Sequence, residues 1–260
     1  MKYLIAIDSD GTLRKNDGTI TEKTKLAIKK QMGKGNIVVI CTARPRYHTL
    51  EISEDVGISN YLISSNGSEV FDIKENKIIW SSYIDKEKCK LLYEYANNNN
   101  IRIMFVLDNS EYVTKFTRND NQILLNDENF NDVFESNVKQ IMVIDKDKEK
   151  IDEFKKIVKS KYKMNILDSS NKKSEESWFS IISNNASKGI ALKKISEYLN
   201  IPIENTIAIG NDKNDISMFE IAGISVAVNN ASKSIKNKVD YVTLSNEKDG
   251  VATFLNTYKK

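Results

Sequence analysis

The sequence predicts an α/β protein: a Rossmann-like doubly wound parallel sheet into which a separate α/β segment is inserted. Three observations carry this expectation. Continuous apolar, β-branched runs recur near both ends of the chain and stop at small or polar residues, as strands buried on both faces do. Amphipathic segments of helical period separate these runs, and such alternation is the mark of a doubly wound sheet. Between about Tyr83 and Ser183 the pattern changes to helices and strands in another order.

Tyr3-Leu4-Ile5-Ala6-Ile7 reads as the first strand and ends at Asp8-Ser9-Asp10-Gly11-Thr12. Thr21 can cap a helix carrying Leu26, Ile28 and Met32, which stops at Gly33 and Gly35. Ile37–Ile40 is the second strand and runs into Cys41-Thr42-Ala43-Arg44; His48 falls on a helix beyond it. Tyr61–Ile63 runs into Ser64-Ser65-Asn66-Gly67. The middle segment reads as helices over 85–96 and 148–162 and strands over 101–107, 112–116, 140–144, 164–167 and 178–182. The polar linker Ser169–Ser177 is expected to join the last two as a hairpin, and Asn97–Asn100 to be a helix-to-strand loop. Ser187 can cap Lys188–Leu199, whose Ala191, Leu192, Ile195, Tyr198 and Leu199 form one apolar stripe. Thr206–Ile209 runs into Gly210-Asn211-Asp212, and Ile224–Val228 into Asn229-Asn230. The expected division is a discontinuous core, 1–82 and 184–260, with an insert over 83–183. No internal repeat is apparent.

Composition narrows the function. The formal charge is +3, with Lys and Glu interspersed along 260 residues, so no basic stripe points to nucleic acid. Two cysteines, Cys41 and Cys89, form no CxxC pair, which argues against structural zinc and for a reducing cytoplasm. A single histidine excludes a histidine-based metal cluster. The apolar run before Asp8 is too short for a signal peptide or a membrane span, and no other stretch is long enough. No heptad or long exposed apolar stretch calls for an obligate protein partner. Trp80 and Trp178 read as packing residues rather than substrate platforms.

Asp8 and Asp10 are delivered together to the carboxyl end of a strand, the edge where ligands bind in open α/β sheets. Two anions this close repel unless a cation or a proton sits between them, and hard oxygen ligands favour magnesium. Thr42 follows a second strand and can donate a hydroxyl hydrogen bond. Lys188 lies at a helix start, where its ammonium adds to the positive end of the helix. Asn211, Asp212, Asn214 and Asp215 follow a third strand and add oxygen ligands. Acidic groups, a hydroxyl donor and a lysine around a metal describe a phosphoryl-transfer site. Taken singly, each residue has a plainer reading: Thr42 or Asp215 as a helix cap, Lys188 as a solvated lysine, Arg44 as the partner of a surface carboxylate, Cys41 as a buried small residue. Their joint, ordered occurrence carries the argument.

In that order the chain resembles the haloacid dehalogenase superfamily of phosphatases, specifically the Cof-type hydrolases with a large α/β cap. Asp8-Ser9-Asp10-Gly11-Thr12 is similar to the first motif, DxDGT. Thr42-Ala43-Arg44-Pro45 is similar to TGRP, Ser65-Asn66-Gly67 to SNG, and Ser187-Lys188-Gly189 to SKG. Gly210-Asn211-Asp212-Lys213-Asn214-Asp215 is similar to GDxxND, and the tail around Asp240–Thr243 and Asp249–Val251 resembles the family's ending. The resemblance implies a nucleophilic Asp8 and a general acid–base Asp10. It implies phosphoryl-holding Thr42 and Lys188, and Arg44, Asn66 and Asn214 near the phosphate or leaving group. It also implies magnesium on Asp8, the Asp10 backbone, Asn211 and Asp215, and a cap over 83–183 that closes over a small phosphorylated metabolite such as a sugar phosphate.

The chain departs from the pattern at three positions. Asn211 stands where the family usually has Asp, which removes a negative charge from the metal site unless Asp212 compensates. Ala43 replaces a glycine. Ser9 replaces a larger apolar residue and brings a hydroxyl that needs a partner. The rival readings are a phosphomutase of the same superfamily and a non-catalytic phosphometabolite-binding protein.

Overall fold

The computed structural model describes residues 2–117, 119–126, 128–168 and 175–258. They form two compact units, one made of Met1–Ser81 and Ser187–Lys260, the other of Ser82–Ala186. The first unit begins with β1 (Leu4–Ile7), α1 (Glu22–Gly33), β2 (Ile37–Cys41), α2 (Arg46–Asp55), β3 (Tyr61–Ser64), β4 (Glu69–Asp72) and β5 (Lys77–Ser81). The second unit holds α3 (Lys86–Asn98), β6 (Arg102–Val106), β7 (Glu111–Val113), β8 (Gln122–Leu124), α4 (Phe130–Glu135), β9 (Gln140–Asp145), α5 (Lys148–Ser160), β10 (Asn165–Asp168) and β11 (Ser177–Ile182). The first unit resumes with α6 (Lys188–Tyr198), β12 (Thr206–Gly210), α7 (Ile216–Phe219), β13 (Ile224–Ala227), α8 (Lys233–Lys236), β14 (Tyr241–Val242) and α9 (Gly250–Thr257).

The first unit is a doubly wound sheet in the order β14-β13-β12-β1-β2-β3-β4-β5. All four residues of β1 are buried, and their alternation feeds two cores. Ile5 and Ile7 pack with Ala27 and Ile28 of α1, Ile52 of α2 and Val251, Ala252 and Leu255 of α9. Leu4 and Ala6 pack with Ala191, Leu192 and Ile195 of α6, Met218 of α7 and Ile235 of α8. Burying one such Leu or Ile contributes about 1.5–3 kcal/mol, so a strand apolar on both faces is drawn to the sheet centre. The pairing is parallel from β14 to β3. The antiparallel pair β4–β5 then extends the edge beside β3.

That edge hairpin was not expected, because Glu69 and Asp72 give β4 polar ends. Glu69 is nevertheless fully buried. Arg46 on α2 pairs with it, Nε donating at 2.8 Å, and Ser64 Oγ donates at 3.0 Å. The helix starts follow their caps: Thr21 accepts from the Thr24 amide at 3.2 Å, and Ser187 from the Ile190 amide at 3.1 Å. The apolar faces shift at their margins. Leu26 is exposed, and α1 instead buries Thr24, Ala27, Ile28 and Gln31, whose amide donates to the Leu255 carbonyl of α9. Tyr198 of α6 is also exposed.

The second unit has a six-stranded sheet, β10-β11-β9-β6-β7-β8, antiparallel except for β7 with β8. Ile103, Phe105, Ile141, Val143, Phe179 and Ile181 pack with α3, α4 and α5 through Leu92, Ala96, Val133, Phe134, Ile151 and Phe154. The strand expected over 112–116 ends at Val113, because Lys115 takes φ +73, outside the extended region. β8 and α4 lie where no element was expected. β10 and β11 pair antiparallel, as a hairpin requires, but residues 169–174 of the linker between them lie outside the described residues.

Candidate active site

In the first unit β12, β1, β2 and β3 are neighbours, and each ends in site residues at its carboxyl edge. The chain reverses its direction of build beside β1, which is where ligand crevices of open α/β sheets form. Asp8 leaves β1 with its amide bonded to the Ile209 carbonyl of β12 at 2.9 Å. Thr42 leaves β2, and its carbonyl accepts from the Asn66 amide at 2.9 Å, so the turns after β2 and β3 are tied. That second turn is left-handed at Ser65, Asn66 and Gly67. A side chain at Gly67 would meet the Ser187 carbonyl at 2.2 Å, so this glycine lets the turn abut the start of α6.

Lys188 stands at that helix start and is fully buried between two carboxylates. Its Nζ donates to Asp8 Oδ1 and to Asp215 Oδ1, each at 2.6 Å. The other oxygen of Asp215 accepts from the amides of Asn211 and Asp212 at 2.8 and 2.9 Å. Asp215, expected as a metal ligand, therefore has both oxygens engaged in fixing Lys188 and the loop after β12. Asp212 is exposed and accepts from the Lys213 amide at 2.7 Å, as a cap does. Asn214 donates to Asn66 Oδ1 at 2.9 Å. Burial, and then the charge of Asp215, raise the Asp8 carboxyl from 3.8 to about 7 against the opposing pull of Lys188. Burial alone would lower Lys188, but Asp215 and Asp8 outweigh it and push the ammonium up.

Asp10 faces outward. Arg44 grips it with two bonds, Nε to Oδ2 at 2.6 Å and Nη2 to Oδ1 at 2.8 Å, and Arg14 Nη1 adds a third to Oδ1 at 3.1 Å. Partial burial raises this carboxyl, but Arg44 and then Arg14 outweigh it and hold it below its ordinary value. Ser9 finds its partners here: its hydroxyl lies 2.6 Å from Thr42 Oγ1 and donates to Asp10 Oδ2 at 3.1 Å. Cys41 is buried beside the site, and burial pushes its thiol up to about 12, which leaves it inert at neutral pH. His48 pairs with Glu51 at 3.1 Å.

The donor set fits a hard cation at one point. The Asn211 side-chain atom facing the first loop lies 3.1 Å from Asp8 Oδ2, 3.2 Å from the Asp10 carbonyl and 2.9 Å from Thr12 Oγ1. Turned nitrogen-first, the amide donates to all three. Turned oxygen-first, it accepts from Thr12 and joins the Asp8 carboxyl and the Asp10 carbonyl in a group of oxygens that could receive a hard cation. Among the described residues no group of three or more His, Cys, Asp or Glu side chains is gathered for a metal.

Sequence reasoning places Thr12 in the first motif without a role and misses Arg14 and the Arg46–Glu69 pair. Arg14 had one weak signal, an arginine four residues after an aspartate outside any helix. No helix among the described residues is long and apolar enough to cross a membrane.

Comparison with known proteins places the chain in a family. The profile of haloacid dehalogenase-like hydrolases matches residues 5–255. The 5-amino-6-(5-phospho-D-ribitylamino)uracil phosphatase YcsE of Bacillus subtilis is 32% identical over 249 residues, covering 96% of this chain and 92% of that protein. Phosphatase YwpJ of the same organism is 29% identical over 282 residues, covering 96% and 97%. The structure of a haloacid dehalogenase-like hydrolase from B. subtilis superposes with a TM-score of 0.86 at 27% identity, covering 99% of this chain and 100% of that one. Phosphatases of this superfamily typically use a divalent metal. The ordered motifs, the sheet edge on which they meet and these matches show that the chain belongs to the haloacid dehalogenase-like hydrolase family, as a Cof-type phosphatase.

Proposed function

We propose that the chain is a cytoplasmic, magnesium-dependent phosphatase of small phosphorylated metabolites, sugar-phosphate-like compounds foremost, acting through an aspartyl-phosphate on Asp8. The observation that carries this reading is the fully buried Lys188 ammonium bridging Asp8 and Asp215 at 2.6 Å each. A buried ammonium between two carboxylates holds the nucleophile in place and supplies positive charge beside the incoming phosphate.

In the first step an Asp8 oxygen forms a bond to phosphorus. The bond from phosphorus to the leaving oxygen breaks, and that oxygen takes the Asp10 proton. In the second step water attacks phosphorus, Asp10 takes the water's proton, and the bond to Asp8 breaks, releasing inorganic phosphate and the Asp8 carboxylate. Asp10 is ionised in the free protein under its two arginines. The substrate anion supports its acid form, because its like charge raises a neighbouring carboxyl and it competes for Arg44. Thr42, Arg44, Asn66 and Asn214 would hold phosphoryl or leaving-group oxygens. Asp8, the Asp10 carbonyl and Asn211 would hold magnesium, with Asp215 bracing their loop. The metal's charge lets an anionic carboxylate meet an anionic phosphate. We assign substrate choice to the inserted unit, because it separates Thr42 from Lys188 in sequence and carries none of the motif residues.

Three similar proteins of B. subtilis, YcsE, YitU and YwtE, bear the name of 5-amino-6-(5-phospho-D-ribitylamino)uracil phosphatases, a phosphorylated polyol chain on a heterocycle. That compound belongs in the test panel with hexose phosphates, pentose phosphates and nucleotides. Inorganic phosphate release is measured with magnesium and with EDTA. The proposal expects magnesium-dependent release from at least one phosphorylated polyol or sugar. Binding without release would favour the non-catalytic reading, and phosphoryl return to the substrate without free phosphate would favour a mutase.

A further inference from the structure

We propose that Arg14 is the positioning residue of Asp10, the group that keeps this carboxylate in place when Arg44 turns to the substrate. The inference rests on the reading of Asp10 as general acid–base and goes beyond it.

Arg14 is held at both ends of its guanidinium. Nε donates to the Gly18 carbonyl at 2.9 Å, which leaves Nη1 to reach Asp10 Oδ1 at 3.1 Å. A short strap makes this possible. The backbone bridges at Asp10 and Arg14, Lys15 bonds the Thr19 carbonyl, and Gly18 bonds the Lys15 carbonyl, each of these two at 2.9 Å. Gly18 sits at φ +87, where a side chain is strained, and it lies beside the Arg14 guanidinium. Asn246 Nδ2 also donates to the Arg14 carbonyl, at 3.1 Å, anchoring the strap from the far end of the chain. The side chain is mostly buried, at 23% exposure, while that of Asp10 is half exposed.

The two arginines are therefore not equivalent. Arg44 lies on the turn after β2 beside Thr42, and among the described residues its guanidinium bonds go to Asp10, where an incoming phosphate can compete for them. A cavity of about 180 Å³, lined by Arg14, Gly18, Arg44 and His48 among others, lies beside both guanidiniums. Arg14 is committed to Gly18 and stays. A lysine cannot bond Gly18 and Asp10 at once in this fixed fork.

The test compares wild type, Arg14→Gln and Asp10→Asn on glycerol 2-phosphate and 4-nitrophenyl phosphate. It uses kcat/KM, which reports the step that breaks the ester bond. The alkoxide of glycerol needs a proton to leave, and 4-nitrophenolate scarcely does. Arg14→Gln should lower kcat/KM for glycerol 2-phosphate about tenfold through kcat, with KM little changed, because misplacing a catalytic group by about 1 Å costs up to about a hundredfold. Its kcat/KM for 4-nitrophenyl phosphate should stay within about threefold, which also shows that the variant is folded. Asp10→Asn should show the same selectivity at about a hundredfold or more. Selective loss in Asp10→Asn with an equal or absent loss in Arg14→Gln overturns the role of Arg14 alone. No selectivity in Asp10→Asn overturns the general-acid reading and the inference with it.

Discussion

Asn211→Asp tests how this chain balances charge around Asp8. The Asn211 side-chain atom nearest the first loop lies 3.1 Å from Asp8 Oδ2, and Asp215 is buried one turn away. A carboxylate there would give three acidic side chains against the single Lys188, and it would remove the amide donor that satisfies Asp8 and the Asp10 carbonyl. Two unit charges about 4 Å apart interact by about 4 kcal/mol at an effective dielectric of about 20. With Lys188 and partial solvent offsetting some of this, the metal-free variant should lose about 2–4 kcal/mol. For a protein of this size that lowers Tm by about 5–15 °C. Magnesium should reverse the order of effects: the added charge tightens binding, so the Tm of the variant climbs more steeply with magnesium than that of wild type. The assay is thermal melting in EDTA and across a magnesium series, with Asp212→Asn as the control. Asp212 is exposed and caps the turn at Lys213, so its change should cost about 1 kcal/mol or less and leave the magnesium response alone. An Asn211→Asp protein that melts like wild type in EDTA and responds equally to magnesium would refute the placement of residue 211 at the metal.

Two further outcomes follow from the buried triad. Lys188→Met leaves Asp8 and Asp215 facing each other without the ammonium; breaking a buried ion pair in this way costs about 3–5 kcal/mol, so a clear drop in Tm together with loss of phosphate release is expected, and a Tm within a degree or two of wild type would contradict the triad. The second outcome concerns pH. Asp8 titrates at about 7 in the folded protein against an ordinary 3.8, so the folded state holds its proton more tightly; the stabilisation is fully present below 3.8 and is lost as pH rises through about 7. Asp8→Asn does not titrate, so in EDTA its Tm relative to wild type should rise between about pH 4 and pH 7, and a constant difference would contradict the raised carboxyl.

The strand ends that carry the site were legible because each is an apolar β-branched run cut off by polar residues, and the parallel sheet buries such runs on both faces. Caps were legible for a local reason: Thr21 and Ser187 each bond an amide three residues on. What stayed hidden depends on partners distant in sequence. Lys188 reads as a site residue by its place at a helix start, but its partners do not show: the fold alone brings it to Asp8, 180 residues away, and to Asp215. β4 is masked by the charge of Glu69, which Arg46 and Ser64 meet in the fold. Leu26 looks like part of a stripe, yet α9 selects the neighbouring face of α1 through Gln31. The strap that fixes Arg14 is set by backbone bonds within a loop, where periodicity says nothing.

In the mechanism proposed above, Asp8 carries the phosphoryl group between substrate and water. Wild-type protein turning over its best substrate from the panel is quenched in acid, digested, and the peptide containing Asp8 is weighed by mass spectrometry. The expected spectrum shows the mass of one added phosphoryl group on that peptide, localised to Asp8 and absent from Asp8→Asn. An unmodified Asp8 peptide in every quench during steady phosphate release, or a phosphoryl group found on another residue, would contradict it.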